Sequence, residues 1–393
     1  MTPTMLLVAF RHRWFLLALI FSACLLSYLS FDAYTRPRTT TVQLDYDPYS
    51  KQDGNVSPSR ILIVSAMFPL PKSKHSKTDY NAWLSHFLRP IKTDVYFFTT
   101  PELEPIVRSA RGNLPITVNT SFSSPFDIPP LAGMQEKYVE MRIRDRERWR
   151  HSPDLYAIWN GKPYYLDEAV KNSPSKYDYA FWNDAGSFRV PHHYENWPDA
   201  GRIDEVWAEG SKLSGTNQAD LLFFPINNPP HASMRYWREE MGPVDNEFIE
   251  GKRLLSPFYH RAHYIYSLIG SFFGGTPQTI SWWRSVFYDY HNGYLDHQFF
   301  VGKDQTLINA IALLFPTRFI TVWLKDPAAP AGQGLQPLGG ESPLGSCGPQ
   351  WFYYQWWLAG DTERSTMRRK WQKAWRLSWD WWKTGNSCRM TQV

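Results

Sequence analysis

Residues 60–68 read RILIVSAMF, residues 79–88 read DYNAWLSHFL and residues 94–99 read DVYFFT. The first and third are short, continuous apolar runs, the pattern of strands buried on both faces. The second places Tyr80, Trp83, Leu84 and Phe87 at helical spacing. Strand, helix and strand in that order predict an α/β fold with a mainly parallel sheet. The alternation continues with a helix over Glu104–Ala110 and a third strand over Ile116–Val118. A charged helix is expected over 136–150 and a short helix over Pro163–Lys171. Further strands are expected at Tyr177–Trp182, Leu221–Ile226 and Phe319–Trp323, with helices at about 278–290 and 304–314. Residues 326–350 are rich in Pro and Gly and read as a loop. Trp371, Trp375, Trp379 and Trp382 fall on one face of a basic helix and read as a packing face, with a role at the membrane surface as the second reading.

Upstream of Arg60 the pattern changes. Trp14–Phe31 (WFLLALIFSACLLSYLSF) carries no charge and approaches the ~20 residues a transmembrane helix needs. Arg11 and Arg13 precede it, and no small-residue cleavage site follows. An uncleaved signal anchor fits better than a cleaved signal. The expected organisation is a cytosolic tail (1–13), a transmembrane anchor (14–31), a stem (32–59) and a luminal domain (60–393). Both membrane readings place that domain in the secretory pathway, Golgi or endoplasmic reticulum. The sequons at Asn55 and Asn119 agree with this. Cys24 lies in the apolar segment, which leaves Cys347 and Cys388 as the luminal pair that an oxidising compartment would permit to bridge.

The chain has 393 residues, with 42 Lys and Arg against 37 Asp and Glu, a net charge of +5. Without a basic block this excludes a nucleic-acid footprint, and 43% hydrophobic residues exclude a disordered chain. Aromatic residues reach 17%, a composition suited to cores, interfaces and sugar-stacking surfaces alike. There is no G-x-S-x-G, H-E-x-x-H, Walker A or G-x-G-x-x-G sequence. The informative stretch is Ala157–Arg189, AIWNGKPYYLDEAVKNSPSKYDYAFWNDAGSFR. Its buried strand delivers Asp184 at the strand end, where open α/β sheets bind ligands. Gly186 permits close approach, and Arg189 could meet a phosphate with its planar fork. A strand-end carboxylate could also hold a divalent cation against a diphosphate.

The elements Trp159-Asn160-Gly161-Lys162, Glu168-Ala169 and Trp182-Asn183-Asp184-Ala185-Gly186 resemble the HtrL/YibB-like family of glycosyltransferase-like proteins. Gly270–Gly275 looks like that family's Gly-rich segment, and Asp304-Gln305 with Asn309 looks like an element shared more widely with GT-A glycosyltransferases. The resemblance covers roughly residues 60–325. It implies a GT-A-like nucleotide-diphospho-sugar transferase fold. It places Asp184 as the metal- and diphosphate-binding carboxylate, served by Mn²⁺ or Mg²⁺. Asn183 stands where many such enzymes keep a second acid, so the D-x-D pair is degenerate. Trp159 belongs to the matched element. Lys162 and Arg189 would neutralise phosphate, Gly274 and Gly275 would admit donor or acceptor, and Asp304 and Gln305 would serve catalysis and substrate hydroxyls. No His follows His297, so the late His ligand of many GT-A enzymes has no counterpart by chain order.

The implied activity is sugar transfer from a nucleotide sugar to a glycan or protein hydroxyl. A binding protein that keeps the fold without turnover is the second reading, favoured by the single Asp and the missing His. A glycoside hydrolase would need two flanking carboxylates, and Lys162 and Arg189 would then have no purpose. Of the many aromatic residues, Trp159, Trp182, Phe272 and Phe273 are expected at the substrate.

Overall fold

A computed structural model describes residues 58–70, 75–226, 232–244, 268–323, 353–375 and 389–392. Residues 14–31, Asn55, Cys347, Cys388, Trp379 and Trp382 lie outside them. Among the described residues no helix is long and apolar enough to cross a membrane.

Among the described residues eight strands form one mixed sheet: β1 (Ile61–Met67), β2 (Asp94–Thr99), β3 (Thr117–Asn119), β4 (Tyr179–Asn183), β5 (Leu222–Ile226), β6 (Phe272–Gly275), β7 (Phe319–Trp323) and β8 (Arg389–Gln392). Their order is β3-β2-β1-β4-β6-β5-β7-β8. β1 pairs in parallel with β2 and β4, β2 with β3, and β5 with β7. β6 runs antiparallel between β4 and β5, and β8 antiparallel to β7. The expected mainly parallel sheet is therefore present. The chain runs outward from β1 to β2 and β3, then returns to β4 on the other side of β1. Such a reversal leaves a crevice outside the carboxyl ends of the strands.

The nine helices among the described residues are α1 (Lys77–Leu88), α2 (Glu104–Arg111), α3 (Gln135–Met141), α4 (Pro153–Asn172), α5 (Ala200–Ser214), α6 (Pro277–Asp296), α7 (Asp304–Leu314), α8 (Tyr353–Trp357) and α9 (Asp361–Trp375). Alternation along β1 sends Leu62 and Val64 into one layer, with Tyr165 of α4, Trp283 of α6 and Ile311 of α7. Ile61 and Ile63 enter the other, with Phe87 of α1, Val107 of α2, Trp207 of α5 and Tyr354 of α8. Ser76 starts α1 with a reciprocal bond to Asp79, and Ser152 caps α4 through the amide of Leu155; such caps contribute ~1 kcal/mol each.

Three elements differ from the sequence reading. The short helix expected at Pro163–Lys171 is the second half of α4, which begins at Pro153. Pro163 lacks the amide that would bond the fourth carbonyl back, a cost of ~3 kcal/mol in a helix interior. Burial of Tyr156, Ala157, Tyr164, Tyr165 and Leu166 offsets it. The charged helix expected over 136–150 ends as α3 at Met141, followed by one 3₁₀ turn. Beyond it, side chains take the backbone groups a helix would use. Asp145 accepts from the Glu147 amide, Arg142 donates to the Arg148 and His151 carbonyls, and Arg148 donates to the Ile143 carbonyl. Gly274 and Gly275 lie within central strand β6 rather than in an open loop.

Candidate functional site

The site forms where β4 ends, β6 begins and α7 begins. Asn183 pairs with Phe272 at the last register position, and the Asp184 amide donates to the Ser271 carbonyl (2.8 Å). This places Asp184 and the Gly270-Ser271 backbone at the carboxyl edge of the sheet. Asp304 opens α7, where its Oδ1 accepts from the Gln305 amide at 2.9 Å, a position that favours a carboxylate.

Lys162 reaches the same point from the middle of α4. Its ammonium lies 3.2 Å from Asp184 Oδ1 and 2.9 Å from Asp304 Oδ2, and donates to the Gly270 carbonyl at 2.9 Å. The Lys162 side chain is 4% exposed, Asp304 8% and Asp184 35%. Burial pulls the Lys162 ammonium toward its neutral form, but the two carboxylates outweigh it and hold its pKa above the usual lysine value. Burial also raises the Asp304 carboxyl, and Lys162 opposes this only in part. Asp304 Oδ2 faces the ammonium as an ion pair without a well-aligned hydrogen bond. Trp182, 1% exposed, donates from Nε1 to Asp184 Oδ1 at 2.6 Å and fixes that carboxylate.

Local sequence explains how Lys162 arrives. A Cβ at Gly161 would meet the Tyr165 ring at 2.6 Å, so only glycine lets α4 pack there. Asn160, fully buried, donates to the Tyr138 hydroxyl (2.8 Å) and the Val301 carbonyl (2.9 Å), tying α4 to the turn before α7. Tyr138 in turn bonds His291 Nε2 at 2.7 Å. Burial holds His291 neutral, its pKa pulled down to about 4.

The loop after β4 meets an aromatic cluster on α1, at the strand ends where a crevice is expected. Arg189 stacks over Trp83 at 4.6 Å and donates to the Gly186 carbonyl at 3.3 Å. Trp83 packs edge-on against Tyr80 (5.3 Å) and His75 (4.8 Å), and a Cβ at Gly186 would press on Trp83 at 3.2 Å. Tyr80 and Trp83 shared the helical stripe with Leu84 and Phe87. In the structure Leu84 and Phe87 enter the core, whereas Tyr80 and Trp83 stay half-buried at the crevice. Their distance from the charged motifs in sequence concealed this.

The remaining expected residues disperse. Asn183 is fully buried and turned into the loop, donating to the Asp184 carbonyl and accepting from Ser187. Gly274 packs against the backbone of Ala180 and Phe181, and Gly275 against Thr279 and Leu221, inside the sheet. The glycine at the site is Gly270, where a Cβ would meet Asp304 Oδ2 at 2.6 Å. Gln305 is half-buried beside Asp304. Trp159 packs on His151 (5.1 Å) and Tyr156. Phe272 and Phe273 are core residues stacked on Phe181 and Phe224. Asn119 sits on β3 with its amide donating to the Tyr96 hydroxyl at 3.1 Å.

A second feature flanks the first turn of α7. A cleft of about 280 Å³ is lined by Arg144, Asp145, Phe299, Phe300, Lys303 and Thr306, among others. Lys303 pairs with Glu147 at 2.6 Å and lies 3.8 Å from Asp145.

No three His, Cys, Asp or Glu among the described residues converge on one point that could hold a metal. The two carboxylates that do converge already share the Lys162 ammonium. The described residues at this site do not fit a metal held by them.

No family model matches the chain, and no curated protein matches it. Solved structures do. Core-mannan synthase A from Aspergillus fumigatus, in a Mn/GDP form, is 13% identical over 73% of this chain and 78% of that one, with a TM-score of 0.38. The mannosyltransferase Ktr4p from S. cerevisiae is 12% identical over 73% of each chain, with a TM-score of 0.37. Mouse xyloside xylosyltransferase 1 is 10% identical over 66% and 83%, with a TM-score of 0.33. These structural neighbours are glycosyltransferases, and the likeness is weak by both measures.

Proposed function

We propose that the chain is a glycosyltransferase that moves a sugar from a nucleotide sugar to a glycan or protein hydroxyl. One observation carries the reading. Lys162, Asp184 and Asp304 meet at the strand ends, beside an aromatic crevice at the point where the sheet order reverses. The order β3-β2-β1-β4-β6-β5-β7, with β6 alone reversed, also suits the GT-A-like expectation. The nucleotide would lie against Tyr80 and Trp83, with its diphosphate toward Lys162 and Arg189. One Lys162 donor is held only by the neutral Gly270 carbonyl, and a phosphate oxygen could take that bond over. The bond from the anomeric carbon to the diphosphate breaks while a bond to the acceptor oxygen forms. Lys162 and Arg189 stabilise the charge that develops on the leaving diphosphate. In an inverting reaction the hydroxyl proton would pass to Asp304, whose raised pKa suits a base. The acceptor would occupy the cleft on the other side of the first turn of α7, against Phe299 and Phe300.

In this reading residues 14–31 anchor a type II membrane protein and the domain faces the lumen of the Golgi or endoplasmic reticulum. Asn55 and Asn119 would be glycan acceptors and Cys347 and Cys388 a bridge. The test is a scan of nucleotide sugars for turnover by the full chain in detergent. Release of nucleoside diphosphate from one donor, lost in Asp184→Ala, is expected. No turnover of any donor, with nucleotide binding unchanged in Asp184→Ala, would replace the transferase by a protein without this site.

A further inference from the structure

We infer that Lys162 is the resident cation of this site, standing between Asp184 and Asp304 in the place a divalent ion would otherwise share. An ammonium has three donors. Three oxygens surround this one, Asp184 Oδ1, Asp304 Oδ2 and the Gly270 carbonyl, at 3.2, 2.9 and 2.9 Å. The side chain is built in rather than draped over the site. It leaves α4 next to Gly161 and Pro163, is 4% exposed, and closes against Gly270, where even a methyl group would press on Asp304.

The carboxylate oxygens give the same answer. Asp184 Oδ1 faces Lys162 and accepts from Trp182 Nε1. Asp304 Oδ1 accepts from the Gln305 amide, and Asp304 Oδ2 faces Lys162. Of the four oxygens, Asp184 Oδ2 has no partner among the described residues, and Asp304 Oδ2 has only the ion pair with Lys162. A single protein oxygen cannot organise the six-fold oxygen shell that Mg²⁺ demands, nor the carboxylate set that suits Mn²⁺. To bind between the two acids, an ion would have to displace the ammonium and leave it buried without its partners. Breaking a buried pair in that way is strongly unfavourable. The lysine supplies one positive charge where a metal would supply two. The site therefore keeps less attraction for diphosphate and leaves more of that task to Arg189.

The test uses Mn²⁺ alone, titrated into the full chain and followed by electron paramagnetic resonance of the free ion. The wild-type protein should show no site tighter than about 1 mM, because a buried cation already pairs the carboxylates. Lys162→Met removes the charge at similar length and should create a Mn²⁺ site at least ~10-fold tighter, since two carboxylates then lie free to ligate. Adding Asp184→Asn to that variant should abolish the new site. A wild-type site of ~10 μM or tighter that Asp184→Asn removes would overturn the inference. So would a folded Lys162→Met protein that gains no site. If Lys162→Met does not fold, the wild-type titration with and without Asp184→Asn still decides. Neither donor nor acceptor is used, so the outcome is separate from that of the transferase reading.

Discussion

Two lysines, one on each side of the first turn of α7, each face two carboxylates, and they are solved differently. Lys303 meets Glu147 and Asp145 beside the cleft. Asp145 has its own donors there: the Tyr156 hydroxyl at 2.6 Å, His151 Nδ1 at 2.7 Å and the Glu147 amide at 2.8 Å. Burial works against its charge, but these donors overcome it and hold the carboxyl far below its usual range. Lys162 meets Asp184 and Asp304 with fewer helpers. Asp304 has one amide donor, and burial leaves its pKa raised. The Asp145 cluster is thus satisfied without its lysine, whereas the Asp304 cluster depends on it. Groups held short of full satisfaction are the ones that a substrate can recruit.

The most severe way to break this comparison is Lys162→Met. Removing one partner of a buried pair leaves an uncompensated charge, so stability should fall by about 3 kcal/mol. Lys303→Met should cost ~1 kcal/mol or less, because hydrogen bonds to a carboxylate survive around Asp145. Urea unfolding of both variants checks the pair, and equal losses would erase the distinction.

Gly270→Ala acts on the same cluster by shape. Its Cβ would meet Asp304 Oδ2 at 2.6 Å, so a loss of about 1–3 kcal/mol is expected from overpacking. Asp304→Asn in the same protein should recover little of it, since the amide is no smaller. A thermal melt of the single and double variants reads this out.

The pH dependence sharpens the contrast by sign. Burial holds the folded Asp304 carboxyl above the ordinary aspartate value, with Lys162 opposing it only in part. As pH falls through that raised value toward the ordinary one, the folded state takes up its proton first, and this group makes stability rise. Asp145 has a lowered folded pKa. Its contribution is present above the unfolded value and is lost as pH falls through the folded one. Asp304→Asn should therefore remove a gain on mild acidification, and Asp145→Asn a loss at stronger acid. Unfolding free energies against pH for the three proteins decide it.

The smallest effect is expected at the crevice. Trp83→Ala removes the ring under Arg189, and a partly exposed cation–π pair is worth ~0.5–1 kcal/mol. Stability should barely move while nucleotide affinity falls several-fold. Calorimetric titration with nucleoside diphosphates measures it, and unchanged affinity would detach the aromatic cluster from the site.

Much of the fold was legible because it is local. Apolar runs at Arg60–Phe68 and Asp94–Thr99 can satisfy their burial only as central strands, and these are β1 and β2. Of the site, Lys162, Asp184 and Asp304 were each visible from neighbouring motif residues. Their relation to one another was not. Lys162 read as a phosphate ligand with no sign that it also pairs both carboxylates, and Gly274 and Gly275 read as glycines that admit a ligand, whereas they pack inside the sheet and Gly270 presses on Asp304. Asn183 read as a partner of Asp184 at the ligand, yet strand alternation turns it inward to Ser187.

The sequence by itself determined the alternation of strand and helix, the strand-end position of Asp184 and the helix-start position of Asp304, because each depends on nearest-neighbour periodicity and backbone preference. Only the tertiary structure decided that an ammonium from the middle of α4 lies between them. Ion pairing acts through space, and no spacing along the chain records which buried cation two distant carboxylates will share.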